Sequence, residues 1–167
     1  MATETRKNRL TLKGVTLICR NFAGKEKTDK KGHIVNSEGS RNFLCKIPEN
    51  IDIDALIEDH WNVKPFGSDD PCYVIPVKVR FDKFPPKICL VTGDKGNYKK
   101  VLMYEEDVHN IDTMEISNVD VVLSQSFYDV RGVQGYCSYL KTMYITPVED
   151  ELDAEYDDIM SDEIPFD

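Results

Sequence analysis

At 167 residues the chain is long enough for one domain with a full hydrophobic core, and its formal charge of −9 argues against a simple basic nucleic-acid binder. A hydrophobic content of 41% excludes wholesale disorder. The charge is unevenly placed: residues 149–167 hold ten acids and no base, which leaves residues 1–148 nearly neutral, with 20 acids against 21 bases.

Residues 9–22 read as one long strand of β-forming residues, with Gly14 marking a bulge or sharp bend. Residues 23–40 read as a loop carrying Lys25, Lys27, Lys30 and Lys31, and a connection of that length is functional or disordered. Arg41 to Ile47 is a strand ended by Pro48. Residues 52–60 read as a short helix capped by Asp52 or Asn50, with Ile53, Leu56 and Ile57 on one face. Trp61 to Phe66 then leads into a turn region. From Tyr73 to Asp82 the chain alternates: Tyr73, Ile75, Val77, Val79 and Phe81 form an apolar face, and Lys78 and Arg80 point the other way. Pro76 puts this strand at an edge or a bulge.

After Pro85 and Pro86, Lys87 to Thr92 is a short strand, and Gly93 to Asn97 a flexible basic turn with Lys95, Lys99 and Lys100 around it. Residues 105–113 read as a short acidic helix, Val119 to Phe127 as an alternating strand, and Tyr136 to Thr146 as the last strand. The pattern is mainly β, with five or six strands and one or two short helices. It fits the partly open barrel of the oligonucleotide-binding (OB) fold better than a parallel α/β sheet. An immunoglobulin-like sandwich is the alternative, but its Cys…Trp…Cys framework is not evident.

The five cysteines (19, 45, 72, 89 and 137) are odd in number and form no CxxC, as expected of reduced thiols in a cytoplasmic protein. His33, His60 and His109 are far apart, so neither a metal nor a cofactor is expected. The polar start, Met1 to Leu10, is unlike a signal peptide, and no apolar run reaches the roughly 18 residues of a membrane span. No GxSxG, HExxH or Walker loop appears, and no enzyme is expected.

Glu149 to Asp158 has too much like charge to collapse, so residues 149–167 read as a flexible tail behind a folded body of residues 1–148. The tail ends in Asp162-Glu163-Ile164-Pro165-Phe166-Asp167, two apolar anchors in an acidic setting, stiffened by proline. Such a segment suits a basic, apolar pocket on a partner. This ending resembles the C-terminal tip of bacterial and phage single-stranded-DNA-binding proteins. Asn21 to Lys25, Asn118 to Asp120 and Tyr139 to Tyr144 are also similar to phage members of that class. The resemblance implies a DNA-binding OB barrel, work in DNA replication, recombination and repair, and a tip that recruits partner proteins. One departure is that the family tip ordinarily ends on Phe, whereas Asp167 follows Phe166 here.

Sequence-independent binding of single strands needs cations along a groove and aromatic faces for the bases. The candidate cations are Lys25, Lys27, Lys30, Lys31, Arg41, Lys78, Arg80, Lys95 and Lys141, and the candidate stacking rings Phe43, Trp61 and Tyr139. Tyr73 and Phe127 are expected in the core. The partners expected are single-stranded DNA and, at Asp162, Glu163, Ile164, Pro165 and Phe166, replication and recombination proteins. Homo-oligomer formation stays open. The alternative function is an acidic DNA mimic that blocks a nucleic-acid enzyme, motivated by the acidic blocks at 49–70 and 105–129.

Overall fold

The computed structural model describes residues 9–67, 72–82, 84–93 and 97–148. The expected tail, its tip and Lys95 lie outside these residues. The strands are β1 (Arg9–Lys13), β2 (Thr16–Asn21), β3 (Lys27–Thr28), β4 (Ile34–Asn36), β5 (Arg41–Lys46), β6 (Lys64–Phe66), β7 (Cys72–Val79), β8 (Lys87–Thr92), β9 (Lys99–Met103), β10 (Ile116–Val130) and β11 (Val133–Pro147). The helix α1 (Ile53–Glu58) lies between β5 and β6, and a 3-10 helix (Val108–Thr113) lies between β9 and β10.

The main sheet runs β1-β10-β11-β7-β5-β2. Its pairs are antiparallel except where β11 meets β7 and β8. The two ends of this path are consecutive strands of the chain. Residues 9–22 are therefore not one strand, as the sequence suggested, but two that meet at a corner. Gly14 adopts a left-handed φ of 68°, which glycine takes without steric cost. Its amide donates to Asp120 Oδ1 at 2.9 Å, and the Val15 amide donates to the Val119 carbonyl at 2.9 Å. One bent segment thus pairs with β10 through its first half and with β5 through its second, which curls the sheet into the partly open OB barrel.

Alternation along these strands builds the core. Leu12, Leu17, Phe22, Phe43, Ile75, Val77, Leu123, Met143 and Ile145 are buried inside the barrel, and Phe22 stacks on Phe43 with ring centroids 5.3 Å apart. Burying each such side chain contributes roughly 1.5–3 kcal/mol. Burial also pushes the Cys45 thiol up to about 12, which leaves it protonated and unreactive at neutral pH.

The 3-10 helix is clamped to the end of β2 from both sides. Arg20 donates to the carbonyls of Ile111 (2.9 Å) and Met114 (2.6 Å). The Asp112 carboxylate accepts from the amides of Phe22 (2.7 Å) and Ala23 (3.0 Å).

Asp52 caps α1 by accepting from the Ala55 amide at 3.3 Å, and Leu56 is the helix residue buried against the core. Ile57, expected on the same face, is 52% exposed: it stands about 100° round the helix from the buried Leu56, on the side turned away from the core. Pro76 sits opposite Leu44 of β5, between the part of β7 that pairs with β6 and the part that pairs with β11, so no ladder bond is lost there. Strands β6 and β9 were not anticipated. Nor were two arms: β3 and β4 form a separate small hairpin within the long loop, and β10 and β11 stay paired far beyond the barrel, to Val130 and Val133.

Candidate nucleic-acid interface

The sheet register lines up one row of residues across five strands. Arg9 of β1 pairs with Ser124, Ser124 with Tyr139, Tyr139 with Lys78, and Lys78 with Asn42. Residues paired in this way share a face, and the neighbouring positions Leu123, Val77, Val79 and Phe43 are buried, so the row faces outward.

Two clefts flank the row. The first, about 620 Å³, lies between residues 35–40, returning from β4, and the ends of β5 and β7, with Arg41, Asn42, Lys78 and Arg80 in its lining. The second, about 750 Å³, is lined by Arg9, Phe84, Lys87, Ser124, Tyr139 and Lys141 among others. Arg80 and Asp82 line both, so the clefts form one trough. The lip of the second cleft arises because β7 and β8 run along the same edge of β11 and the chain between them loops out.

Arg80 donates to Asp82 at 2.8 Å. That bond, and then one with the Tyr139 side chain, raise the guanidinium pKa further, so the cation at the junction is permanent. At the first cleft Arg41 is equally engaged. It donates to the Phe22 carbonyl and to Glu105, both at 3.0 Å, and lies 5.3 Å from the centre of the Phe81 ring.

Of the residues expected from sequence, the fold brings together Arg41, Lys78, Arg80, Tyr139 and Lys141. Lys25, Lys27, Lys30 and Lys31 are exposed on the β3–β4 arm and line neither cleft. Asn21 and Asn36 hold the base of that arm through the Lys25 carbonyl, at 3.0 and 2.8 Å.

Two expectations are corrected. Phe43 is 1% exposed and stacked on Phe22, and Trp61 is 4% exposed within the core cluster, so neither ring offers a face to a base. Conversely, Tyr73 (43%) and Phe127 (54%), expected in the core, are exposed. The missed residues are Arg9, Lys87 and Phe84, the last 88% exposed on the lip of the second cleft. Phe84 lies in a proline-flanked loop where no periodicity marks it; an isolated aromatic in such a loop was the available signal.

Beyond the second cleft the β10–β11 arm continues the outward face through Ser126, Cys137, Tyr128 and Gly135. Tyr128 lies over Gly135, where an added Cβ would come within 2.5 Å of its hydroxyl, so glycine lets the ring rest on the strand. On the opposite face Phe127 packs edge-on against Tyr136, which stacks on His60. No group of His, Cys, Asp or Glu among the described residues could hold a metal ion, and no helix among them is long and apolar enough to cross a membrane.

An OB barrel with an outward trough of cations and aromatic rings defines the class of oligonucleotide-binding folds. The family model described as "Putative phage ssDNA-binding domain" matches residues 1–165, and the chain belongs to that family. Among solved structures it is similar to the single-stranded DNA-binding protein from bacteriophage Enc34, with a TM-score of 0.55 and 9% identity over 87% of this chain and 84% of that one. The same phage protein in complex with ssDNA gives a TM-score of 0.54 at 10% identity, over 87% and 89%. At these identities the likeness concerns the fold. No curated protein matches the chain.

Proposed function

We propose that residues 1–148 bind single-stranded DNA along the trough without sequence preference and protect it during phage replication and recombination. In this reading residues 149–167 are a flexible acidic tail, and Asp162, Glu163, Ile164, Pro165 and Phe166 engage replication and recombination proteins. The observation that carries the reading is the outward row Arg9–Ser124–Tyr139–Lys78–Asn42, which alternates cations with polar groups and an aromatic ring across five strands. Membership of the phage family and the ssDNA complex of the Enc34 protein support it. The trough sets a stacking surface beside phosphate-binding cations, the combination that holds single strands without sequence preference. A tethered tail with ten acids has a high local concentration near these cations and competes with DNA for them.

Anisotropy titrations with oligo-dT and with duplex DNA, using the full chain and a chain lacking residues 149–167, test the proposal. The expected results are retention of the single strand over the duplex, a log–log salt slope of about −3 to −4 for about five neutralised phosphates, and tighter binding without the tail at low salt. No retention of oligo-dT, the behaviour of a DNA mimic, overturns it.

A further inference from the structure

The outward face of β11 does not end at the second cleft. The next rows along it are Thr11–Val122–Thr142–Lys87 and then Lys13–Asp120–Tyr144–Cys89–Leu102. Tyr139 and Tyr144 are five residues apart and would face opposite sides of a regular strand. The bulge opposite Val122 and Leu123 inserts Lys141 as an extra residue and turns both rings outward. At about 3.3 Å per residue the rings stand roughly 15 Å apart along the strand.

Tyr144 is half-buried, and the ammonium groups of Lys87 and Lys100 each lie 5.8 Å from its ring centre. The row's one acid, Asp120, accepts from the Gly14 amide and from Asn118. Lys87 also lines the second cleft, which makes the Tyr144 patch continuous with the trough, whereas Tyr144 and Lys100 line neither cleft.

An aromatic face overlaid by the ends of two exposed lysines matches one base, which takes the face, and its flanking phosphates, which draw the ammonium groups aside. We infer that a single strand leaving the second cleft follows β11 to this station, where Tyr144 stacks a base and Lys100 contacts a phosphate. The inference rests on the single-strand reading above. DNA is favoured over the chain's own acidic tail because the station lies in line with the trough and shares Lys87 with it.

The test is anisotropy with oligo-dT of about 4, 8, 12 and 16 nucleotides, the span of site sizes of OB folds, on the full chain, Tyr144→Leu and Lys100→Gln. The three proteins are expected to bind the shortest retained oligonucleotide alike. On the longer ones Tyr144→Leu weakens binding roughly 5- to 150-fold, and Lys100→Gln reduces the magnitude of the salt slope by about 0.7. Lys100 is exposed, so its substitution remains informative if Tyr144→Leu fails to fold. Identical length dependence in all three proteins overturns the inference while the trough stands. So does loss of binding to a peptide of residues 149–167 with DNA binding unchanged. If the full chain binds no oligo-dT of any length, the trough reading falls together with the station.

Discussion

Two arms flank the trough, and they are chemically unlike. The β3–β4 arm carries four exposed lysines, no Phe, Tyr or Trp, and a base tied down by asparagine side chains. The β10–β11 arm carries Phe127, Tyr128 and Tyr136, exposed Val130 and Val133, and one base, Arg131. The difference separates two kinds of binding energy. Cations on flexible stems act on phosphates over distance and weaken with salt, whereas rings act on bases at contact and are nearly indifferent to salt.

The largest effect is therefore expected on the aromatic side. Replacing Tyr128 and Tyr139 together by Ala should cost about 2–6 kcal/mol of single-strand affinity with an unchanged salt slope, read by anisotropy at several salt concentrations. Gly135→Val tests the same arm without touching a ring: it displaces Tyr128 and should cost about 1–3 kcal/mol, with the thermal midpoint of the barrel little changed. A Gly135→Val chain that binds normally would sever Tyr128 from the interface.

On the basic side, replacing Lys25, Lys27, Lys30 and Lys31 by Gln should reduce the magnitude of the salt slope by about 0.7 for each of them that meets a phosphate and leave affinity at high salt nearly unaltered. An unchanged slope would mean that the arm stays clear of DNA. The smallest effect is expected for Asn36→Ala. It removes bonds to the Lys25 and Ser40 carbonyls, at 2.8 and 3.1 Å, and to Asn42, at 2.7 Å. Hydrogen exchange of the arm amides should quicken, and affinity should change by less than about 1 kcal/mol, the net worth of one ordinary hydrogen bond.

The strands around the barrel were legible where the residue types carry a clear period, as at β8, whose bounds match, and at β5, which ends one residue short of the expected Ile47. Tyr73 and Phe127 were misread for one physical reason: alternation says which side a residue faces, not whether anything lies on that side. Strand β10 leaves the barrel after Gln125, so the inward side at Phe127 has no core to meet. Phe43 and Trp61 failed as stacking rings in the opposite sense, since each lies where neighbouring elements close over it. Strand β9 was hidden because its lysines read as a turn. The row from Arg9 to Asn42 joins residues far apart in the chain through register, and the pairing of strands is not written in the local pattern of any one of them.

The corner at Gly14 has a mechanical consequence for the trough. Arg9 begins the row on β1, and Asn42 ends it on β5, the strand paired with β2. Because β1 and β2 are one continuous run of backbone bent at a single glycine, the first and last positions are tethered to each other and their separation is set. In the single-strand reading proposed above, the trough then serves as a fixed gauge: a polymer laid along it takes up that spacing, and the loss of conformational freedom on association falls on the nucleic acid rather than on the barrel.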